Sequence, residues 1–83
     1  MLRATIVEGN PKKGFYIFED SNGQIGWFEM MGSREPEIDE VFIGNFNNLG
    51  SEIIISTSTN ERLSVFIQDI YCRRERAREM VWS

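Results

Sequence analysis

The sequence predicts a mainly β domain: a small antiparallel barrel of five to six strands with a C-terminal α-helix. Three observations predict it. Short apolar stretches with strand periodicity recur, separated by turn chemistry roughly every 8–12 residues. The last segment changes to helical period. The chain has 83 residues, enough for a single domain, residues 1–83, with a small core. Closure into a barrel suits such a chain, because it removes sheet edges that would otherwise pair with other chains.

Each element has its own justification. Leu2, Ala4 and Ile6 alternate with Arg3, Thr5 and Val7, which is the strand pattern of one face in and one face out. Gly9-Asn10-Pro11 is turn chemistry. Phe15 to Phe18 forms a short strand with large side chains on both faces. Asn22-Gly23 is a strong hairpin signal, since both residues tolerate positive φ. Gln24 to Met30 returns as the third strand. If Tyr16, Phe18, Ile25 and Trp27 face the core, then Phe15, Ile17 and Phe28 face outward. Gly32 to Asp39 is polar, acidic and broken by Pro36, a loop with room for one helical turn.

Val41-Phe42-Ile43 opens a fourth strand that ends near Asn45 to Asn48, and Leu49-Gly50 is a turn. Glu52 to Ser56 contains three consecutive isoleucines, and β-branched runs favour sheet. Thr59-Asn60-Glu61 turns the chain into a sixth strand, where Leu63, Val65 and Ile67 alternate. Ala77, Met80 and Val81 then fall at i, i+3 and i+4, on one face of a helix from about Arg73 to Trp82. Asp69 is its candidate cap. The helix is expected to cover an open end or seam of the barrel.

Charge and composition narrow the function. Nine lysines and arginines face 13 aspartates and glutamates, for a net charge of −4. An acidic field repels phosphates at long range and disfavours nucleic acid or an anionic membrane. The charge is uneven: residues 34–70 hold two arginines against seven acids, while residues 71–83 hold four arginines against two glutamates. There is no histidine and one cysteine, Cys72. That leaves neither the usual zinc sets nor a histidine-based catalytic pair. No catalytic, metal or cofactor-binding residue is assigned, and the chain is expected not to be an enzyme. With no signal peptide and no long apolar run, it is expected to be cytoplasmic, with no membrane association.

Two resemblances add to this reading. Lys13-Gly14-Phe15-Tyr16-Ile17-Phe18 resembles the KGFGFI motif of cold-shock domains, and Ile25-Gly26-Trp27-Phe28-Glu29 falls where that family has VFVHF. Glu37-Ile38-Asp39-Glu40-Val41-Phe42 resembles a later strand of the same family. The likeness covers residues 3–57 and implies an OB-like barrel that binds single-stranded nucleic acid. Within it, Lys13 and Phe15 match binding positions and Phe28 is a substitute. Ile17, Gly26 and Glu29 stand where the family has further stacking rings. The chain also resembles a group of short bacterial proteins of unassigned activity. That likeness rests on Phe42-x-Gly44-x-Phe46-x-x-Leu49-Gly50-Ser51-Glu52 and on Cys72 before a charged helix. It implies a small barrel-plus-helix domain.

Two candidate surfaces emerge. Lys12, Lys13, Phe15, Ile17 and Phe28 form a candidate nucleic-acid or partner surface, since exposed rings stack bases and lysines meet phosphates. The same aromatics can instead pack under the terminal helix or the acidic loop. Arg74, Arg78 and Trp82 form a candidate docking helix, with Arg78 and Trp82 placed for a cation–π contact. Glu35, Glu37, Asp39 and Glu40 are expected in a solvated loop. Cys72, beside Arg73 and Arg74, is either activated by them or a small buried hydrophobe. The function expected is a non-catalytic interaction module that binds an unknown protein partner. Single-stranded nucleic acid, bound through the Phe15/Phe28 face, is the alternative. The expected state is a monomer or a weak homodimer paired through an open barrel edge.

Overall fold

A computed structural model describes residues 1–83. The six expected strands form as β1 (Leu2–Asn10), β2 (Phe15–Asp20), β3 (Ile25–Met30), β4 (Val41–Gly44), β5 (Gly50–Ser56) and β6 (Arg62–Cys72), followed by α1 (Arg74–Val81). They close into a barrel in the order β1-β2-β3-β6-β5-β4. Every neighbouring pair is antiparallel. The protein is thus mainly β, consistent with a small OB-like barrel. Closure leaves no open edge for strand addition between copies, contrary to the expected route to a homodimer.

Residues 20–24 link β2 to β3 by local hydrogen bonding. Asp20 Oδ1 accepts the backbone N–H groups of Asn22 at 2.8 Å and Gln24 at 3.0 Å. Gly23 takes φ 79°, as the Asn-Gly signal predicts. The hairpin register then sets which rings share a face. Tyr16 pairs with Phe28, Ile17 with Trp27, and Phe18 with Gly26. Tyr16, Phe18 and Phe28 therefore point together into the barrel, and Ile17 and Trp27 point together outward. This corrects the expected phase of β3 by one residue. Strand alternation could not fix that phase, because Ile25, Trp27 and Phe28 put large apolar groups on both faces.

The barrel interior holds Ala4, Ile6, Tyr16, Phe18, Phe28, Phe42, Phe46, Ile54, Leu63, Val65 and Ile67. Phe18 sits at its aromatic centre, 4.8 Å from Phe46 and 6.1 Å from Phe28 between ring centroids. Gly26 makes room for it: a Cβ there would approach the Phe18 ring edge and the Asp69 carbonyl oxygen to 2.5 Å each. A second cluster lies outside the barrel wall, where Ile17 and Trp27 meet Ala77 and Val81 of α1.

The last strand extends beyond the expected Leu63–Ile67 run. Its register against β3 shifts twice, around Trp27 and Gly26, and β-bulges of this kind bend a strand and redirect the chain beyond it. Tyr71, at the end of the bulged stretch, adopts φ 55°, uncommon for an aromatic residue. The bend carries the chain back across β2 and β3. The helix thus covers the wall of the barrel, not an open end. Asp69 does not cap it: Asp69 lies within β6 and its Oδ1 accepts the Ile70 N–H at 2.9 Å. Arg73 occupies the N-cap position with no side-chain cap.

Candidate functional site

The β2–β3 outer face is the surface on which the sequence concentrates its aromatics, and α1 occupies it. Ile17 is fully buried beneath Ala77 and Val81, with Phe15, Val7, Ile25, Cys72 and Met80 packed around them. Phe15 is half-buried and meets Trp27 edge-on at 5.1 Å. Phe28, expected on this face, lies in the barrel interior. The Phe15–Phe28 pair is therefore not presented to a ligand. Lys12 and Lys13 are exposed, and Lys13 Nζ donates to the Ser83 carbonyl oxygen, beside the end of the helix.

Polar contacts fasten the far end of α1. Glu8 Oε2 accepts both Arg78 Nε at 2.9 Å and Trp82 Nε1 at 2.7 Å. Arg78 and Trp82 thus converge on one carboxylate instead of on each other. Asn10 Nδ2 donates to the Val81 carbonyl at 3.0 Å, satisfying one of the acceptors that a helix end leaves open. Arg74 is exposed. Beneath the helix, the Trp27 Nε1–H is buried without a partner.

Partial burial pushes the Glu8 carboxyl up, but hydrogen bonds from Arg78 and Trp82 and the charges of Arg78 and Arg74 outweigh it and hold it below the usual carboxylate range. A carboxyl depressed on folding lends stability that is present above its unfolded pKa and lost as the pH falls through its folded one. Glu8→Gln is expected to speed hydrogen exchange at the amides of residues 77–82 severalfold. It should lower global stability by only about 0.2–1 kcal/mol, the range for exposed ion pairs. The variant should also lose the helix-specific acid sensitivity of the parent. Residue-resolved exchange at neutral and acid pH checks both effects.

The acidic loop is only partly solvated. Glu35, Glu37 and Asp39 are exposed, but the Glu40 side chain is 5% exposed. Its carboxylate accepts both terminal Arg34 guanidinium nitrogens, at 3.0 and 2.8 Å, with the Glu37 N–H at 3.0 Å and Ser56 Oγ at 2.8 Å. Arg34 also meets Glu61 at 3.2 Å and lies 5.9 Å over the Phe42 ring. Glu40 thus ties the 31–40 loop to β5 and to the start of β4. Of the four acids expected in solvent, it is the one placed inside.

Cys72 is half-buried, with Sγ directed at the Ile25 carbonyl at 3.6 Å. Burial and the Asp69 charge push its thiol up, against a smaller opposing effect of Arg76. Adjacent Arg73 and Arg74 do not activate it, so it matches the small-hydrophobe reading.

A different surface, on the wall formed by β5 and β6, is inconspicuous in the sequence. Strand pairing sets its outward side chains in three rows. Glu29, Phe66 and Ser51 form one row. Ser64 lies between Ile53, its β5 partner, and Met31, whose N–H donates to the Ser64 carbonyl at 2.9 Å. Arg62, Ile55 and Ile43 form the third. Met31, Ile53 and Phe66 are 60%, 47% and 38% exposed. A groove of about 560 Å³ opens over Ser64, lined by Met31, Ile53, Val65, Glu52, Asn45 and Ser51, and Phe66 follows on the same outward face of β6. The signal in the sequence was faint: Ile53 and Phe66 stand out of phase with the inward residues of their strands.

The protein's helix is not long and apolar enough to cross a membrane. No family model, curated protein or solved structure matches the chain.

Proposed function

We propose that this chain is a non-catalytic interaction module that binds protein, acting in the cytoplasm as a monomer or weak homodimer. The observation that carries the reading is the β5–β6 groove, with exposed Met31 and Ile53 in its lining and exposed Phe66 on the same face of β6. Neither the barrel core nor the helix uses these side chains. Aromatic and methionine side chains gathered at a depression are the composition of an interface centre. Single-stranded nucleic acid is the weaker reading. Lys12, Lys13 and Phe15 support it, but Phe28 is interior and Ile17 lies beneath α1.

The test compares tagged wild type with Ile53→Asp/Phe66→Asp, whose altered positions face outward. Such surface changes usually shift stability by about 0.5 kcal/mol or less. A stoichiometric protein partner is expected with wild type and lost with the variant. Recovery of nucleic acid instead, abolished by Lys12→Glu/Lys13→Glu, would overturn the reading.

A further inference from the structure

The groove has a shape and a charge that select its occupant. Ser64 is the short side chain in a row whose ends are Met31 and Ile53. Adjacent strands lie about 4.8 Å apart, so the two large side chains stand roughly 10 Å from each other across β6. That gap admits one aliphatic or aromatic side chain inserted over Ser64.

The charges beside the gap are unmatched. Glu8, Glu40, Glu61 and Glu79 each have an arginine within ion-pair distance. Glu29 and Glu52 have none, like exposed Glu19, Glu35, Glu37 and Glu75 elsewhere. Glu52 meets only the neutral Asn45 amide, at 3.3 Å, and Glu29 only the neutral Gln68 amide, at 3.4 Å. Glu52 lines the groove, and Glu29 lies beside Phe66 across β3–β6. Arg62 and Arg3 stand at the two ends of the neighbouring row, beyond Ile55 and Ile43. Glu52 is the one charged residue in the groove's lining, and Glu29 adds a second carboxylate beside Phe66.

We propose that the β5–β6 groove binds a segment of a partner protein in which a large apolar side chain is flanked by lysine or arginine. The apolar side chain fills the gap over Ser64. The basic residue meets Glu52 in the groove's lining, with the Glu29 carboxylate beside Phe66 adding to the acidic field, where complementary charge sets orientation and partner choice. This assignment rests on the protein-binding reading and adds the place and the chemistry of the contact.

The experiment titrates the full chain with three nine-residue peptides of glycine and serine, carrying Lys-Leu-Lys, Glu-Leu-Glu or Lys-Ser-Lys at the centre. Backbone and methyl NMR signals of Met31, Ile53, Ser64 and Phe66 report binding. Lys-Leu-Lys is expected to bind at least tenfold more tightly than either control. Ser64→Phe, which fills the gap from an exposed strand position, should abolish binding. Glu29→Lys/Glu52→Lys should reverse the preference between the two leucine peptides and guards against a misfolded Ser64 variant.

No shift with Lys-Leu-Lys overturns the proposal, as do equal shifts with Glu-Leu-Glu or binding that survives Ser64→Phe. A concentration-dependent dimer abolished by Ser64→Phe also overturns it, because the occupant is then a second copy of this chain. A protein partner that is lost with Ile53→Asp/Phe66→Asp but indifferent to Ser64→Phe and to charge reversal leaves the protein-binding reading standing and removes this one.

Discussion

Phe18→Ala is expected to cost about 3–5 kcal/mol, the range for deleting a buried phenylalanine. A domain of this length is stable by about 4–12 kcal/mol on a per-residue scale, so the variant should lose a large share of its stability. Three features put the effect at the upper end. Phe18 is 1% exposed. Its ring lies against both Phe28 and Phe46, joining the hairpin to the β4–β5 connection. The space it leaves adjoins Gly26, which has no side chain to fill it. Phe66→Ala, on the outer wall, should change stability by about 0.5 kcal/mol or less. Urea unfolding of the two variants checks the contrast. Similar losses would mean that the inward and outward faces are wrongly assigned.

Arg34→Met is expected to have the second large effect, about 3–5 kcal/mol at neutral pH, because it strands a buried carboxylate. Methionine keeps an apolar stem near the Phe42 ring but removes both guanidinium hydrogen bonds to Glu40. In the parent, burial pushes the Glu40 carboxyl up. Hydrogen bonds from Arg34, Glu37 and Ser56 and the Arg34 charge outweigh burial and hold it below the usual range. Its contribution to stability is therefore present at neutral pH and lost as the pH falls through the folded pKa.

Without Arg34, burial is left opposed only by the Glu37 N–H and Ser56, and the carboxyl should rise above its ordinary value. The sign then reverses: the variant loses stability as the pH climbs through the carboxylate range. The gap between parent and variant should be largest near neutrality and shrink in acid. Urea midpoints at several pH values check this. A gap independent of pH would mean that the pair contributes packing and not charge.

These two sites differ in how visible they were in the sequence. The strands announced themselves through the Leu2–Ala4–Ile6 and Leu63–Val65–Ile67 alternations, the Ile53–Ile55 run and the Asn22-Gly23 turn, because local backbone and burial preferences agree there. The helix followed from the spacing of Ala77, Met80 and Val81. The phase of β3 did not, since Trp27 and Phe28 are both buried, one under α1 and one inside the barrel. A strand covered on both faces carries no alternation. The bulges in β6 were hidden for a related reason: they depend on how β6 meets Gly26 across the sheet, which no local pattern encodes. Glu40 looked like its acidic neighbours because the ligands that draw it inward, Arg34 and Ser56, lie 6 and 16 residues away.

The candidate site was less legible than the fold. Lys13 and Phe15 directed attention to the hairpin, and the helix that covers it comes from the other end of the chain. The groove over Ser64 exists only through the pairing of β5 with β6 and the placement of Met31 beside them. None of its residues is chemically conspicuous alone.

The covering of the hairpin by α1 is tested most directly by hydrogen exchange at the two indole N–H groups of the unmodified chain. Trp82 is 51% exposed and Trp27 is 7% exposed. The Trp27 indole proton should exchange far more slowly than that of Trp82, and Glu8→Gln should accelerate it. A Trp27 proton that exchanges as fast as a free indole would contradict the account, because the aromatic face of the hairpin would then be open to a ligand.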